Sequence, residues 1–206
     1  MTEKAAVFEK AYQDYLAQIV NLDFHSLSEK LGVMVAGDEV TVPFFGRPHR
    51  ISAEGIVNQD GKRPDFSLCV ILFKYLLMCP ETVPREDDWV TFKDFKDAAP
   101  FVGAFGNYVE RPLAEYFAGC LSRLRRAAET LGGQPPDEVL SYDLALQFLP
   151  LPRIPLRLLF NDQDQEFPAH CSILFERRAE NFLDMECLAM LGMILTAYLK
   201  ADPGGH

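Results

Sequence analysis

Three short stretches of the chain hold polar residues of the kinds that bind ligands or carry out catalysis. The most acidic is a loop in which Asp162, Asp164 and Glu166 alternate with amide side chains, directly after an apolar run. Carboxylates two residues apart in a curved loop can converge on a hard cation such as calcium. The EF-hand spacing is not met, because Phe167 stands where the turn glycine belongs and Ile173 where the bidentate glutamate belongs. We therefore predict no metal site, and the loop is either a solvated turn or a contact for a substrate or partner.

The second stretch combines arginine with histidine. Arg47 and His49 follow a Phe-Phe-Gly sequence at the end of a predicted strand, and His170 lies four residues past the acidic loop. An arginine can hold a carboxylate or phosphate through two parallel hydrogen bonds. A histidine beside a carboxylate can act as a general acid or base. The alternative is structural: arginines that pair with nearby carboxylates and histidines that make one ordinary hydrogen bond.

The third stretch, residues 86–111, places aromatic rings among acidic residues. It shows no helix or strand periodicity, but a solvated loop rarely contains so many rings. We predict that it packs onto the body of the protein and lines a pocket together with residues 47–49 and the loop 162–170. The candidate ligand-binding residues are Arg47, His49, Trp89, Asp94, Asp97, Asp162, Asp164, Glu166 and His170.

The sequence contains none of the short motifs that identify common enzymes and metal proteins. There is no G-x-S-x-G nucleophile elbow, no G-x-x-x-x-G-K-[ST] phosphate loop and no G-x-G-x-x-G dinucleotide fingerprint. Neither C-x-x-C nor H-E-x-x-H occurs, so no iron–sulfur or zinc motif is present. Any cofactor therefore stays unknown at this point.

The composition and length of the chain limit its partners and its domain organisation. The 206 residues carry 20 Lys and Arg against 30 Asp and Glu, and this net charge of −10 argues against nucleic acid as a partner. Hydrophobic residues make up 49%, which is enough for a buried core. The length predicts a single domain over residues 1–206 with a frayed tail at 202–206.

Localisation is predicted from three further features. The start of the chain, with Glu3 and Glu9, does not resemble a secretory signal, and the longest apolar run, residues 187–199, is too short to span a bilayer. The five cysteines are odd in number and widely spread, as reduced thiols usually are. We therefore expect a cytoplasmic protein without a membrane partner.

The spacing of hydrophobic residues predicts the secondary structure. Helices are expected over residues 5–20, about 26–32, 67–79, 112–131 and about 183–200. Strands are expected as a meander between residues 33 and 63, and then over 142–148, 156–160 and 171–175. The second helix is predicted to be capped by Ser26 and to end at Gly32. This order indicates an α+β fold in which mixed helices pack on a largely antiparallel sheet.

Four distinctive segments suggest a family. They are DWVTFKDFKDAAPF at residues 88–101, LPLPRIP at 149–155, LFND at 159–162 and EFPA at 166–169. They resemble the prokaryotic family catalogued as domain of unknown function 3786, and the likeness extends from about Ala11 to Leu199. The family is typical of anaerobic bacteria and archaea, and some members are fused to a small four-cysteine iron–sulfur domain. The resemblance implies an accessory role in anaerobic redox or cofactor metabolism, in which any cluster belongs to a partner.

These observations lead to one main functional hypothesis and two alternatives. The main hypothesis is a non-catalytic protein that binds a small molecule or serves as an accessory factor of an iron–sulfur protein. The first alternative is an enzyme acting on a small molecule, with Asp94, Asp162 or Asp164 as acid or base and His49 or His170 beside it. The second is a structural partner of a redox complex, recognised through an exposed apolar patch. The many apolar helices are also compatible with a homodimer.

Overall fold

The computed structural model describes residues 3–201, with side chains from residue 6 onward. The helices are α1 (Glu3–Ile19), α2 (Phe24–Leu31), α3 (Phe66–Leu77), α4 (Val102–Phe105), α5 (Arg111–Phe117), α6 (Leu121–Thr130) and α7 (Met185–Lys200). The strands are β1 (Met34–Ala36), β2 (Glu39–Phe44), β3 (Arg47–Ser52), β4 (Gly55–Asn58), β5 (Trp89–Thr91), β6 (Leu144–Leu151), β7 (Ile154–Asn161) and β8 (His170–Glu176). Two 3-10 turns, Phe92–Asp94 and Arg177–Asn181, and a π-helical turn, Gly106–Glu110, complete the described part. The tail predicted to fray lies outside the described residues.

The strands form two antiparallel sheets of four strands each, which confirms the α+β prediction. The first sheet is the predicted meander, with β1 to β4 side by side in chain order, and the second has the order β5-β8-β7-β6. The sequence indicated every strand except β5, which lies in the segment without periodicity, and it did not indicate the division into two sheets. Pairing between segments far apart in the chain, such as β5 with β8, leaves no local signal in the sequence.

The first sheet is joined to α1, which in turn packs on α3. The Tyr12 hydroxyl of α1 accepts a hydrogen bond from the N–H of Ile56 in β4, at 2.8 Å. The same ring packs edge-on against Phe73 of α3. The helix α3 is buried on nearly all sides, as its uninterrupted apolar sequence predicts.

The second sheet is built around β7, which is buried from Ile154 to Phe160. The alternation of Leu156, Leu158 and Phe160 predicts a strand buried on one face only. In the structure both faces are covered, so Arg157 and Leu159 are buried as well. The short helices α4 and α5 and the longer α7 pack beside this sheet, and the ring of Phe105 lies against Phe175 of β8. This side of the molecule carries the candidate site.

The two sheets meet at the β6–β7 hairpin. Pro150 lies at a bulge of β6, where a missing N–H is tolerated, and its carbonyl accepts a hydrogen bond from the N–H of Phe45 at 3.0 Å. Phe45 has a φ of 46°, the one positive value among non-glycine residues of the described part. Its buried ring packs edge-on against Phe148 and Tyr198. The strained turn is therefore held by contacts to the second sheet.

The capping of α2 differs from the prediction. The N-cap is Asp23, whose carboxylate accepts a hydrogen bond from the N–H of His25 at 3.1 Å. Ser26 already lies inside the first turn and donates its hydroxyl to the Asp23 carbonyl. Asp and Ser cap about equally well, so the sequence could not rank them. Gly32 ends the helix in the left-handed conformation, as predicted.

The helix expected over residues 112–131 is also different, because it consists of α5 and α6 with a break between them. Gly119 adopts a φ of 71° at the break. Its N–H leaves the helical pattern and donates to Oδ1 of Asp162 at 2.7 Å. A contact from a distant loop thus interrupts a segment whose own residues favour one continuous helix.

No helix in the described part, residues 3–201, has both the length and the apolar character needed to cross a lipid bilayer.

Candidate functional site

The candidate site lies beside β8, at the point where the neighbouring strand β5 ends. β5 has three residues and pairs with β8 from Leu174 to Glu176. The first half of β8 therefore continues beyond its partner on that edge. The side chain of Glu110 fills part of the gap, because its Oε1 accepts a hydrogen bond from the N–H of Ile173 at 3.1 Å. A carboxylate thus takes the place of a strand carbonyl at the edge of the sheet.

The π-helical turn Gly106–Glu110 carries Glu110 at its last position. Such turns are frequent at functional sites, since they rotate the side chains that follow them. The turn can approach α7 closely because Gly192 has no side chain: a Cβ there would lie 2.7 Å from the ring of Phe105. Phe105 stacks on Phe92 with ring centroids 4.2 Å apart. These packed rings form a fixed apolar wall beside Glu110.

Two adjoining depressions share Glu110 and His170 in their lining. The first is a cavity of about 250 Å³, whose wall also contains Thr91, Phe92, Lys93, Val102, Phe105 and Ser172. The second, of about 400 Å³, lies between α5 and the start of β8 and includes Arg111 and Cys171. Together they are called the Glu110–His170 cleft below.

Glu110 has the electrostatic properties of a candidate acid–base group. Burial raises the pKa of its carboxyl above the ordinary value of 4.5. The hydrogen bond from Ile173 and the positive charges of His170 and Lys93 offset this effect only in part. A half-buried carboxyl of this kind in a cleft is suited to hold or transfer a proton.

Cys171 lines the second depression but is not suited to act as a nucleophile. Burial raises the pKa of its thiol, and the negative charge of Glu110 raises it further. The thiol therefore stays protonated near neutral pH, and a protonated thiol is a poor nucleophile and metal ligand.

Three hydrogen-bond donors line the first depression without a partner among the described residues. They are the ammonium group of Lys93, the ring of His170 and the hydroxyl of Ser172. The Thr91 hydroxyl, in contrast, is already used, because it donates to Oδ2 of Asp94 at 2.6 Å. The first depression therefore combines one carboxyl with several donors that are free to bind a ligand.

The predicted residues Asp94 and Asp162 hold the backbone in place. Asp94 accepts hydrogen bonds from the hydroxyl and the N–H of Thr91, and these bonds lower the pKa of its carboxyl. Asp162 accepts bonds from the N–H groups of Gly119 and Gln163, at 2.7 and 2.8 Å. Both carboxylates thus have a structural role: Asp94 holds the backbone beside the cleft, and Asp162 holds it at the α5–α6 break.

The rest of the acidic loop behaves as a turn. Oδ1 of Asp164 accepts hydrogen bonds from the N–H groups of Glu166 and Phe167, and these bonds lower the pKa of its carboxyl. Glu166 itself is exposed. Within residues 6–201, no group of three or more His, Cys, Asp or Glu side chains is arranged to hold a metal ion.

Arg47 and His49 lie on β3 of the first sheet and are not among the residues that line the cleft. The Arg47 guanidinium lies over the ring of Tyr198, 5.5 Å from its centroid. His49 is 5% exposed, and its Nδ1 lies 2.9 Å from the Arg47 carbonyl. Burial lowers the pKa of the His49 ring, which favours the neutral form.

Trp89 and Asp97 lie in the aromatic segment but face other neighbours. The ring of Trp89 is covered by the guanidinium of Arg157, 3.8 Å from the ring centroid. Asp97 borders a separate acidic depression together with Asp184 and Glu186. Of the predicted residues, His170 therefore lines the cleft and Asp94 supports the turn beside it, while the binding roles of the others stay predictions.

Glu110, Lys93 and Ser172 were missed as site residues. A signal for Glu110 exists in the sequence, because it shares a helical stripe with the apolar residues Ala114 and Phe117, at positions four and seven further on. A carboxyl on an apolar stripe predicts a buried acid. Lys93 and Ser172 carry no such signal, since they reach the cleft only through the pairing of β5 with β8.

The raised pKa of Glu110 predicts a pH dependence of stability. The folded chain binds the proton more tightly than the unfolded chain, so the free energy of unfolding falls as the pH rises from 4.5 through the folded pKa. Glu110→Gln keeps an acceptor for Ile173 but cannot ionise. We expect the stability of this variant relative to the natural chain, measured by urea unfolding, to increase as the pH rises from 4.5 to 7.

Glu115→Gln is the matched control, because Glu115 lies exposed on α5, directly after the turn that carries Glu110, and the substitution removes the same charge. Its stability curve should run parallel to that of the natural chain. Equal slopes for the natural chain and Glu110→Gln would contradict the assignment of a strained carboxylate at position 110.

Comparison with known proteins gives one match. A protein-family model described as Domain of unknown function (DUF3786) matches residues 23–198, which is most of the chain. No curated protein and no solved structure was found to match.

Proposed function

Because the chain belongs to the DUF3786 family, whose description names no activity, we propose a function from the geometry of the site. The protein binds a small organic molecule in the Glu110–His170 cleft. Two of the three predicted segments contribute to the cleft, residues 86–111 and the end of the loop 162–170, but of the nine predicted residues only His170 lines it. The first-sheet residues Arg47 and His49 have no part in it.

The composition of the cleft wall carries this proposal. Small-molecule sites are concave, largely apolar and contain a few polar groups that orient the ligand. The cleft has this composition, with the stacked rings of Phe92 and Phe105 on one side and Glu110, Lys93 and His170 around them. The rings are nearly fully buried and close-packed, so the wall is formed before a ligand arrives.

We place this function in the cytoplasm. All five cysteines are free thiols, which supports a reducing compartment. An accessory role in anaerobic redox or cofactor metabolism, with an iron–sulfur protein as a partner, belongs to the same proposal and rests on the family resemblance. The ligand is then the small molecule that this accessory protein carries or senses.

A second candidate function, acid–base catalysis on the bound molecule, is favoured by the state of Glu110. Asp94, Asp162 and Asp164 are all engaged by backbone N–H groups, whereas Glu110 has one oxygen free and a raised pKa. In this candidate Glu110 replaces the aspartates as acid or base, and His170 is the neighbouring group. Incubation of a metabolite extract with the natural chain and with Glu110→Gln distinguishes the two functions, since only an enzyme converts a compound catalytically.

Native mass spectrometry tests the binding function. The natural chain and Ser172→Trp are each mixed with a filtered metabolite extract of anaerobically grown cells, and native and denatured masses are compared. The indole of Ser172→Trp should fill the first depression. We therefore expect added mass that is lost on denaturation for the natural chain, and at least a tenfold smaller bound fraction for the variant.

Ser122→Trp controls for the added ring, because Ser122 lies exposed on α6, away from the cleft lining. It should retain the same mass as the natural chain. Thermal unfolding of all three proteins checks that each is folded, and Val102→Phe gives a second, smaller filling of the cavity. Equal retention by the natural chain and both cleft variants, or none by the natural chain, would refute the binding site.

A further inference from the structure

We infer that the ligand of the Glu110–His170 cleft carries an oxyanion, a carboxylate or a phosphate, which Lys93 and His170 bind at the rim. This inference rests on the proposed binding function and specifies the chemistry of its ligand. Both residues are exposed and line the same depression, so their donors reach a ligand that is partly inside the cleft and partly open to solvent.

The inference rests on the fact that the side chains of Lys93 and His170 are unpaired. Two less exposed cations of the described chain have anionic partners: Lys74 pairs with Asp184 at 3.1 Å, and Arg157 pairs with Glu138. Lys93 and His170 have no ion-pair or hydrogen-bond partner within the described residues, although the chain as a whole carries an excess of ten acidic groups. Donors left unpaired around one cavity are suited to an acceptor-rich group.

Glu110, the carboxyl of the first depression, does not oppose such a ligand. Oε1 of Glu110 is occupied by the N–H of Ile173, so only the other oxygen is available to the cavity. Burial also favours its neutral form, in which that oxygen can donate a hydrogen bond to an anion. Ser172 adds a hydroxyl donor on the same side. The polar lining is thus complementary to an oxyanion, and the stacked rings are complementary to an apolar body attached to it.

A series of three probes tests this chemistry. Benzoate, phenyl phosphate and benzamide share an apolar ring and differ in the attached group, since benzamide is the neutral counterpart of benzoate. Each is titrated into ¹⁵N-labelled protein, and the amide resonances of residues 170–173 and 106–111 report binding in the cleft. We expect benzoate or phenyl phosphate to bind at least tenfold more tightly than benzamide, and the tighter of the two identifies the source of the oxyanion.

Variants of Lys93 test whether this residue causes the preference for anionic probes over benzamide. Lys93→Met should reduce the difference between the anion and benzamide to less than threefold, while Lys93→Arg should retain it. Lys96→Met is the matched control, because Lys96 is exposed in the same segment but does not line the cleft. It should behave as the natural chain.

The outcomes separate this inference from the binding function. If benzamide shifts the cleft resonances with the same affinity as benzoate and phenyl phosphate, the oxyanion is wrong while the binding site stands. If Lys93→Met and Lys96→Met weaken the anions equally, general electrostatics explain the preference and the assigned residue is wrong. If none of the three probes shifts residues 170–173, the cleft is not a binding site and both proposals fail.

Discussion

Replacing Gly55 by alanine is expected to lower the free energy of unfolding by roughly 2–5 kcal/mol, from backbone strain together with displacement of a packed side chain. Gly55 has a φ of 130°, a conformation that alanine rarely adopts. A Cβ at this position would also lie 2.6 Å from the hydroxyl of Tyr12. Tyr12 cannot yield without breaking its bond to the N–H of Ile56, which joins α1 to the first sheet. Urea unfolding followed by circular dichroism measures the loss.

Gly37→Ala separates the two causes. Gly37 also has a positive φ, 60°, but a Cβ there meets nothing within 4 Å. Gly37→Ala should lower the free energy of unfolding only through the strained backbone conformation, by roughly 1–2 kcal/mol. An equal loss for both variants would show that the contact with Tyr12 does not constrain position 55.

Removal of the Tyr75 hydroxyl is expected to cause the second-largest loss in the free energy of unfolding. This buried hydroxyl donates to the carbonyl of Leu31 at 2.7 Å and accepts from the N–H of Arg153 at 3.1 Å. It therefore links the end of α2, which leads into the first sheet, to the β6–β7 hairpin of the second. Tyr75→Phe leaves two backbone groups without this partner, at a cost of roughly 1–3 kcal/mol for each group that stays buried. Urea titration measures the total loss in the free energy of unfolding from both groups.

Tyr15→Phe is the matched control for this variant. Tyr15 is half-buried and stacks on Phe73, but its hydroxyl makes no hydrogen bond within the described residues. The substitution removes the same atom, and stability should change by less than about 0.5 kcal/mol. A similar loss for both tyrosine variants would show that the hydroxyl of Tyr75 is not a link between the two sheets.

The fold could be predicted from the sequence wherever the signal was local. The apolar residues of α3 and the alternation in β6 are properties of neighbouring residues, and the structure confirms both. The alternating pattern of β7 did not indicate that this strand is buried on both faces. The break at Gly119 and the pairing of β5 with β8 depend on partners that are 43 and more than 80 residues away in the chain. No pattern within one segment could reveal them.

The residues of the candidate site were likewise predicted only in part. His170 was identified from its residue type and its position after the acidic loop, and it lines the cleft. The aspartates drew attention because carboxylates are reactive, yet Asp162 and Asp164 accept backbone hydrogen bonds in turns. Asp and Asn side chains are common in turns for this reason, so a cluster of them is weak evidence of chemistry. Burial of a single carboxyl, as at Glu110, is the more informative feature.

A crystal structure of the natural chain with the tighter-binding anionic probe, benzoate or phenyl phosphate, tests the central claim most directly. We expect density for the anion against Lys93 and His170, with its ring beside Phe92 and Phe105 in the Glu110–His170 cleft. Density for the probe at another surface, with this cleft filled by water alone, would contradict the claim that the cleft is the binding site.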